Sequence, residues 1–251
     1  MIIIPARLAS TRFANKILAD IQGEPMLIKT AKNASKVDEV CIACDDEAVL
    51  NICKKAGQKA VLTAKHHQSG TDRCNEAAQK LGLKSDEIII NIQADEPFLE
   101  SSVIKTLQNL MQKTNGKNPP FMASCAKEIS EQEAHNPNLV KVVLNARNEA
   151  IYFSRSVIPF WRDKDKTQNL QNGATYYGHL GVYGYSVESL REFCALPNDI
   201  DSSPLEHIEK LEQLRAIYQG KTIQMAIVQS QSIGIDTKED LEMALARFGN
   251  R

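Results

Sequence analysis

The stretch "IIIPARLASTRFANK", residues 2–16, decides the first element of the fold and the charge that follows it. Its three consecutive isoleucines are typical of a buried β-strand. The loop after them carries Arg7, Arg12 and Lys16, and no acidic residue precedes Asp20. Sheets of parallel strands bind ligands beyond the carboxyl ends of those strands. The stretch therefore predicts a strand that leads directly into an anion-binding loop.

Alternating apolar and helical segments predict how this strand is continued. The run "EIIINI", residues 87–92, is almost continuously apolar, as expected for a strand that is covered on both faces. Over the first 115 residues, such runs alternate with helical stretches. This predicts an α/β fold with a mostly parallel sheet sandwiched by helices. The predicted strands are 1–4, 39–44, 59–63 and 87–92, and the predicted helices lie near 25–36, 46–56 and 70–82.

The second half of the chain is richer in strand-like segments. We expect one domain, in which a smaller β-rich part at about 121–219 is inserted into a core formed by about 1–120 and 220–251. The polar segment "RDKDKTQNLQNGATYY", residues 162–177, is predicted to be a mobile surface loop. The segment "SPLEHIEKLEQLRAIYQG", residues 203–220, is predicted to form one amphipathic helix, because its apolar residues recur every third position.

Composition and charge exclude several classes of protein. The net charge of −1 gives no global preference for nucleic acid or acidic membranes. No apolar run approaches the roughly 20 residues that span a bilayer, and the N-terminal run is too short for a signal peptide, so we expect a cytoplasmic protein. Cys41 and Cys44 have the CxxC spacing but lie in a predicted strand, where residues three apart point to opposite faces. We therefore expect reduced, mostly buried thiols among the six cysteines.

The opening loop excludes two common kinds of nucleotide site. It contains no glycine, so it is neither a GxGxxG dinucleotide fingerprint nor a GxxxxGK[ST] phosphate loop. Its anion ligands would instead be Arg and Lys side chains, the hydroxyls of Ser10 and Thr11, and main-chain N–H groups. The alternative is a solvated basic loop.

Two aspartates follow predicted strands and indicate a metal site. Asp95 lies in "NIQADEPF", directly after the strand 87–92, and Asp236 lies in "GIDTKEDL", before a helix whose predicted N-cap is Thr237. Carboxylates at strand ends suit Mg²⁺, which takes one or two carboxylates together with phosphate oxygens and water. The alternatives are a turn residue for Asp95 and a loop or capping role for Asp236.

Other polar residues suit recognition of a polyhydroxylated acid, with an arginine for its carboxylate. A lone histidine or tyrosine in a strand is also compatible with a structural role, and "HQSGTDR" is compatible with a simple loop before a helix. The residues suited to the acid are Arg155, His179, Tyr183, Glu212 and Gln213. In "HQSGTDR", Ser69 instead offers a donor in a tight turn, and Arg73 offers a further cation.

The order of these motifs resembles that of the 3-deoxy-manno-octulosonate (KDO) cytidylyltransferases. The resemblance runs from about residue 2 to 245. "PAR…STR…K" alone fits many sugar nucleotidyltransferases, whereas three other motifs are more specific. These are "HQSGTDR", "YFSRSVIPFWRD" and "SPLEHIEKLEQLR".

The resemblance implies a Rossmann-like nucleotidyltransferase, usually a homodimer, that uses CTP and Mg²⁺ to activate KDO for lipopolysaccharide synthesis. By that resemblance, Arg7, Lys16 and Asp95 are catalytic, and Asp95 and Asp236 bind the metal. The implied nucleotide-binding residues are Pro5, Ala6, Arg7, Arg12, Lys16, Ser69, Arg73 and Gln93. The implied sugar-binding residues are Gln93, Arg155, His179, Tyr183, Glu212 and Gln213.

The sequence departs from the family pattern in two places. Where the family usually has Pro-Gly-Lys-Pro, this chain has Ala14-Asn15-Lys16-Ile17, so the loop's backbone is expected to differ while the lysine is kept. The usual glycine before the metal aspartate is Ala94, which would be strained if that position needed a positive φ.

Three alternative functions remain at this point. A CMP-sialic acid synthetase would share the fold, nucleotide and metal and differ in the acid sugar. An NAD-dependent dehydrogenase is disfavoured because GxGxxG is missing. A non-enzymatic nucleotide-binding module would have little reason to keep both Asp95 and Asp236.

Overall fold

The strands supply a mostly parallel sheet, and helices cover it. The structure, a computed structural model, describes residues 1–8, 13, 15–112, 119–162 and 176–249. The strands are β1 Ile2–Ala6, β2 Asp20–Ile21, β3 Glu24–Pro25, β4 Val40–Cys44, β5 Ala60–Leu62, β6 Ile88–Ile92, β7 Met122–Ile129, β8 Lys141–Leu144, β9 Ala150–Ser154, β10 Tyr176–Ser186 and β11 Ile223–Ile227. The helices are α1 Met26–Ala34, α2 Glu47–Lys55, α3 Gly70–Lys80, α4 Ser101–Gln112, α5 Glu131–Ala134, α6 Val187–Ala195, α7 Pro204–Glu209, α8 Leu214–Tyr218 and α9 Lys238–Phe248, with a 3₁₀ turn at Lys16–Leu18.

Seven strands form the body of the sheet in the order β11-β7-β10-β6-β1-β4-β5. Strand β10 runs antiparallel to both of its neighbours, β6 and β7, and the other six strands share one direction. Strands β8 and β9 form a hairpin that joins the sheet through β10. The predicted mostly parallel sheet is therefore confirmed, and the β-rich second half contributes strands to this same sheet.

Both faces of the sheet are buried, which explains why its strands are continuously apolar. Ile2 and Ile4 pack on one side with α1, α2 and α4, whereas Ile3 packs on the other side with α3, α6 and α8. All three isoleucines are fully buried. Because successive strand residues point to opposite faces, a strand between two helical layers needs apolar residues at every position.

The predicted elements of the first half are confirmed, each within two residues at either end. The last helix also begins where it was predicted to begin, since the Thr237 hydroxyl caps α9 in a capping box with Asp240. All six cysteines are free, and only Cys194 is partly exposed. Within the described ranges, no helix combines the length and apolarity that crossing a bilayer requires. Most of the predicted surface loop, residues 163–175, lies outside the described residues.

The prediction of one helix over residues 203–220 is wrong. Two short helices, α7 and α8, are separated at Lys210, whose φ of 54° is left-handed and ends the first of them. The turn exposes Ile208, at 76%, and buries Leu211 and Gln213. The repeat of apolar residues is the same for one helix or two, so only the tertiary contacts of residues 211–213 reveal the break.

Replacing Ile90 by alanine is expected to lower the free energy of unfolding by about 2–5 kcal/mol. Ile90 is fully buried in β6, between β1 and β10, so truncation leaves a cavity at the centre of the sheet. Urea denaturation measures the change. Ile208→Ala is the matched control and should shift stability by no more than about 0.5 kcal/mol, because that side chain is exposed. Equal losses in the two variants would contradict this placement of the core.

Candidate active site

The ammonium group of Lys16 lies between the carboxylates of Asp95 and Asp236. Its Nζ is 2.5 Å from Asp95 Oδ2 and 2.8 Å from Asp236 Oδ1. The three residues come from separate parts of the fold: the turn after the first loop, the end of β6, and the segment before α9. A main-chain bond from Ile235 N to Asp95 O, at 3.0 Å, joins the two acidic segments. The structure thus brings the predicted phosphate-binding lysine and the two predicted metal ligands together.

The electrostatics of this cluster keep Lys16 charged. Burial acts to lower the pKa of Lys16, but the attraction and hydrogen bonds of Asp95 and Asp236 outweigh it, so the pKa lies above its ordinary value. The cluster carries two negative charges and one positive charge. It is therefore suited to hold a further cation or to balance the charges of a bound phosphate chain.

Both departures from the family pattern are accommodated by the backbone. Asn15 is left-handed, with φ 53° and ψ 29°, a conformation that glycine adopts freely and asparagine tolerates better than most residues. Ala94 is not among the residues with positive φ, so no strain arises there. Its carbonyl accepts a hydrogen bond of 2.9 Å from the buried Thr30 hydroxyl.

The capping alternative for Asp236 is wrong. The N-cap of α9 is Thr237, and the main-chain N–H groups of Asp236 and Thr237 both donate to Asp240 Oδ2, at 3.0 and 2.8 Å. The carboxylate of Asp236 is thus directed to Lys16 instead of to the helix end. Asp95 does lie in a turn, since Glu96 N donates to Gln93 O, but its carboxylate also bonds Lys16.

A cavity of about 650 Å³ extends from the two aspartates to the β-rich part of the chain. We call the part formed by the turn after β6 and the middle of β10 its inner wall, and the part formed by the loop before β8 and the residue after β9 its outer wall. Among the predicted site residues, those that line it are Asp95, Asp236, Arg155, His179, Tyr183 and Gln213. One concave site therefore collects both predicted metal ligands and four of the six predicted sugar-binding residues.

Arg155 lies on the outer wall of this cavity and is held by main-chain oxygens. Its guanidinium donates to the carbonyls of Glu209, at 2.8 Å, and Pro137, at 3.1 Å, with a longer contact to Lys210 at 3.5 Å. Among the described residues, the Arg155 guanidinium therefore bonds main-chain carbonyls and no carboxylate.

Tyr183 and Gln213 form a polar pair in the cavity wall. The Tyr183 hydroxyl donates to Gln213 Oε1 at 3.2 Å. The Gln213 amide nitrogen is buried and has no hydrogen-bond partner among the described residues. An unsatisfied buried donor is costly, so a ligand hydroxyl or carboxylate that accepts from Gln213 would be favoured.

His179 is neutral and is held by a serine. The Ser124 hydroxyl donates to the carbonyl of Val182 at 2.7 Å, which leaves His179 Nε2 as the donor in its 2.9 Å contact with Ser124. The ring also packs edge-on against Phe153. Burial lowers the pKa of His179 from 6.5 to about 3.

Glu212 differs from the other predicted sugar-binding residues, because it is not among the described lining of this cavity. Its Oε2 accepts a hydrogen bond from Thr71 at 2.9 Å, near the start of α3. Burial raises the pKa of Glu212, and Arg215 lies 3.9 Å from its other oxygen. That oxygen, Oε1, is buried and has no hydrogen-bond partner among the described residues.

The end of β1 meets α3 and β6 very closely. A Cβ atom added to Gly70 would lie 3.0 Å from Pro5 Cγ and 3.5 Å from Gln93 Oε1, so a side chain here would have to displace Pro5 slightly. Ser69 caps α3 by accepting from Asp72 N. Ala6 is buried next to Pro5 at the end of β1. The predicted nucleotide-binding residues Pro5, Ala6, Ser69 and Gln93 are thus on or beside one junction.

Of the two remaining cations of the opening loop, Arg7 is exposed directly after β1, as a phosphate-binding side chain would be. Arg12, like Ser10 and Thr11, lies outside the described residues.

Arg73, which was predicted to bind the nucleotide, is a buried residue of α3 whose guanidinium bonds other side chains. It is 3% exposed, and its guanidinium donates to Asp45 at 3.0 Å and to the Thr63 hydroxyl at 2.6 Å. The other oxygen of Asp45 accepts from Leu8 N at 3.4 Å, within the opening loop. Asp45 therefore links Arg73 to the start of the opening loop.

Several polar residues that line the cavity were not predicted from the sequence. Ser232 donates to Glu96 at 2.7 Å and accepts from Lys127 at 3.3 Å. Burial, and then repulsion from Asp95, raises the pKa of Glu96 to about 7. A charged residue next to Asp95, and a lysine at the end of the apolar run "FMASCAK", could have indicated both from the sequence.

Comparison with known proteins decides the family. The family model described as "Cytidylyltransferase" matches residues 1–223. The chain belongs to the cytidylyltransferase family. The chain is 56% identical to a 3-deoxy-manno-octulosonate cytidylyltransferase of Helicobacter acinonychis (strain Sheeba), over 100% of this chain and 98% of that protein. It is 53% identical to the protein of the same name from Wolinella succinogenes, over the full length of both.

A solved structure of the same family has the same fold. It is a CMP:2-keto-3-deoxy-manno-octonic acid synthetase complexed with CTP, and it matches with a TM-score of 0.87 and 36% identity. The match covers 99% of this chain and 98% of that chain. The resemblance inferred from the motifs, and the Rossmann-like nucleotidyltransferase fold that it implies, are thereby confirmed.

The buried neutral His179 is expected to make stability fall as the pH is lowered from 7 to 5. Between about pH 6.5 and pH 3 the unfolded chain binds a proton at this residue and the folded chain does not, so acid favours unfolding. The His179→Gln variant removes this contribution. Between pH 7 and pH 5 its free energy of unfolding should fall by about 2 kcal/mol less than that of the wild type. Urea denaturation at the two pH values measures both losses. Identical losses would mean that His179 titrates normally in the folded protein.

Proposed function

We propose that this protein transfers the cytidylyl group of CTP to 3-deoxy-manno-octulosonate and releases pyrophosphate. The observation that carries the proposal is the single cavity that joins the Lys16, Asp95 and Asp236 cluster to Arg155 and the Tyr183–Gln213 pair. The first group of residues suits a phosphate chain, and the second suits a hydroxylated acid. Membership of the cytidylyltransferase family supports the choice of CTP as donor.

The reaction requires charge stabilisation more than acid–base chemistry. A hydroxyl oxygen of the sugar bonds to the α-phosphorus of CTP, while the bond from that phosphorus to the oxygen bridging to the β-phosphate breaks. Pyrophosphate leaves with the electron pair, and the hydroxyl proton is released. Negative charge accumulates on the leaving group, and cations fixed beside it lower the barrier. Arg7, Lys16 and Arg12 are the side chains that we assign to this task.

The neutral His179 is not assigned as the base or as a nucleophile. Its pKa of about 3 leaves it unprotonated, and its Nε2 already donates to Ser124. It is better suited to shape the wall beside Tyr183, whose ring centroid lies 5.5 Å away. We infer that no covalent enzyme intermediate forms.

Magnesium is the cofactor that these carboxylates would hold. Asp95 and Asp236 are close enough for one ammonium group to bond both, and their oxygens are the hard ligands that Mg²⁺ prefers. In the described part of the chain, no group of three or more His, Cys, Asp or Glu side chains could hold a metal. The donor set therefore fits an ion that completes its coordination with phosphate oxygens and water. When bound, such an ion would neutralise phosphate charge and polarise the attacking hydroxyl.

The sugar's carboxylate is assigned to the outer wall of the cavity. Arg155 presents a guanidinium, which can grip a carboxylate through two parallel hydrogen bonds. The buried amide nitrogen of Gln213 supplies a further donor. Sialic acid also carries a carboxylate and hydroxyl groups, so a CMP-sialic acid synthetase remains the second reading of this wall.

Pyrophosphate release from purified protein tests the proposal. Each nucleoside triphosphate is combined with each acid sugar, and CTP with KDO should be turned over at least tenfold faster than any other pair. Faster turnover with sialic acid than with KDO would show that the protein is a CMP-sialic acid synthetase instead. Absence of turnover with every pair, together with NAD binding, would favour the dehydrogenase, and CTP binding alone would favour a non-enzymatic module.

The cellular setting follows from this reaction as part of the proposal. CTP is a metabolite of the cytoplasm, so we place the protein there, and activated KDO would serve lipopolysaccharide synthesis. A homodimer built on the second half of the chain is also proposed. The exposed apolar side chains of Ile151, at 52%, and Phe160, at 83%, support it. Sedimentation velocity measures the oligomeric state.

Lys16→Ala is expected to lower kcat by about 10²–10³, with a smaller effect on CTP affinity. Arg7, Arg12 and the metal would still hold the nucleotide in the ground state, whereas the charge that develops on pyrophosphate loses one of the three cations assigned to it. Steady-state kinetics and CTP titration measure the two effects. Lys59→Ala, which removes an exposed lysine paired with Glu39, is the control and should leave both kcat and CTP affinity unchanged. A kcat within about threefold of wild type would make Lys16 a structural residue.

Asp95→Asn and Asp236→Asn are each expected to abolish most turnover and to weaken magnesium binding. Each change removes the charge of one proposed ligand while keeping its size, so raised magnesium should restore part of the activity. Titration of Mg²⁺ into the CTP-bound protein provides a measurement that is independent of turnover. Asp86→Asn, at an exposed position, is the matched control. Wild-type magnesium affinity in both variants would remove these residues from the metal site.

A further inference from the structure

Lys141 is a buried cation whose ammonium group bonds only to main-chain oxygens among the described residues. It is fully buried at the start of β8. Its Nζ donates to the carbonyls of Asn136 at 2.9 Å, Leu139 at 2.7 Å and Arg155 at 2.6 Å. An ammonium group has three hydrogens, so these three bonds use its full donor capacity.

The three carbonyls belong to two different parts of the cavity's outer wall. Asn136 and Leu139 are in the loop before β8, and Asn136, Asn138 and Leu139 all line the cavity. Arg155 directly follows β9 and lines the same cavity. The Arg155 guanidinium reaches back to this loop through the carbonyl of Pro137. Lys141 thus ties the loop to the residue that we assign to the substrate's carboxylate.

Joining two segments through a buried lysine costs free energy, because its charge is removed from water. Burial, and then the like charge of Arg155, lowers the pKa of Lys141. Glu209 accepts from Arg155 N at 2.9 Å and from the Ser154 hydroxyl at 2.6 Å, so it is the acid of this region. Replacing a buried charge by a well-packed apolar residue is often neutral or stabilising, so stability alone does not explain Lys141. Among the described residues, the charged groups that act on Lys141 are one further cation, Arg155, and one carboxylate, Glu209, so positive charge is in excess here, as suits an anion.

We propose that Lys141 is a positioning residue for substrate recognition, which fixes Arg155 and the loop 136–139 in the arrangement that binds the acid sugar. This inference rests on the proposed function, since it assumes that Arg155 contacts the sugar's carboxylate. The recognised group is the carboxylate of a hydroxylated acid, and the nucleotide is bound elsewhere, at the junction of β1, α3 and β6. Loss of Lys141 should therefore weaken binding of the acid sugar and leave CTP binding unchanged.

Kinetics of Lys141→Met test this division. The KM for KDO should rise about tenfold or more, because a small displacement of Arg155 is enough to weaken binding. The KM for CTP should stay within twofold. Val142→Ala is the matched control, since Val142 is the next residue of β8, is 1% exposed and packs in the core. It should destabilise the fold without changing either KM. Equal increases for KDO and CTP, or equal effects of the two variants, would overturn the proposal.

A double-mutant cycle with Arg155→Ala shows whether Lys141 acts through Arg155. If it does, Lys141→Met should add less than about twofold to the KDO KM of Arg155→Ala, since interacting residues are not additive. A fully multiplicative effect would overturn the proposed route.

Amide hydrogen exchange separates failure of this inference from failure of the proposed function. Lys141→Met should speed exchange at least tenfold in residues 136–139 and 155–157, and Val142→Ala should not. This readout needs no substrate, whereas the wild-type substrate panel alone decides the reaction. Unchanged exchange in Lys141→Met would overturn the positioning role. If that variant does not fold, Lys141→Gln, which keeps part of the donor capacity, replaces it in every measurement.

Discussion

A single ammonium group, that of Lys16, holds together three segments that are far apart in the chain. Its bonds to Asp95 and Asp236 join the opening loop, the end of β6 and the segment before α9 at one edge of the sheet. Without the lysine, two carboxylates would face each other at close range, and like charges in a partly buried site repel. The same arrangement provides hard oxygen ligands and a fixed cation. The charges that stabilise this edge are thus those that the proposed reaction uses.

The antiparallel strand β10 connects this edge of the sheet to the rest of the cavity. It lies between β6, whose end carries Asp95, and β7, and it carries His179 and Tyr183 into the cavity. Its pairing with β7 is interrupted between Leu180 and Tyr183. Such irregularities bend a strand and redirect its side chains, and they are frequent beside active sites. The Ser124 hydroxyl, which bonds the Val182 carbonyl, supports the irregular segment. A strand from the β-rich half therefore completes the site of the parallel half.

The polar groups of the outer wall are arranged in two layers. Arg155 lines the cavity, and the buried Lys141 bonds its main-chain carbonyl and those of Asn136 and Leu139. Buried polar groups without partners are rare in proteins because each one costs free energy. The amide nitrogen of Gln213, which has no partner in the described part of the chain, therefore contrasts with the fully bonded ammonium group of Lys141. The contrast is consistent with a rigid support that presents a few unsatisfied donors to a ligand.

The sequence by itself determined the parallel sheet and its helices, because these depend on local patterns, and its motifs named several of the residues that line the cavity. Runs such as "EIIINI" are apolar at every position only when both faces are covered, and the carboxyl ends of parallel strands meet at one edge, which places Asp95 near the first loop. Only the tertiary structure decided what is set by contacts between distant segments. It broke the predicted helix at Lys210, since residues 211–213 bond to Thr71 and Tyr183. It also paired Arg73 with Asp45, and it bonded the buried Lys141 to the Arg155 carbonyl. A side chain's spacing in the chain carries no information about which distant carbonyl or carboxylate it will meet.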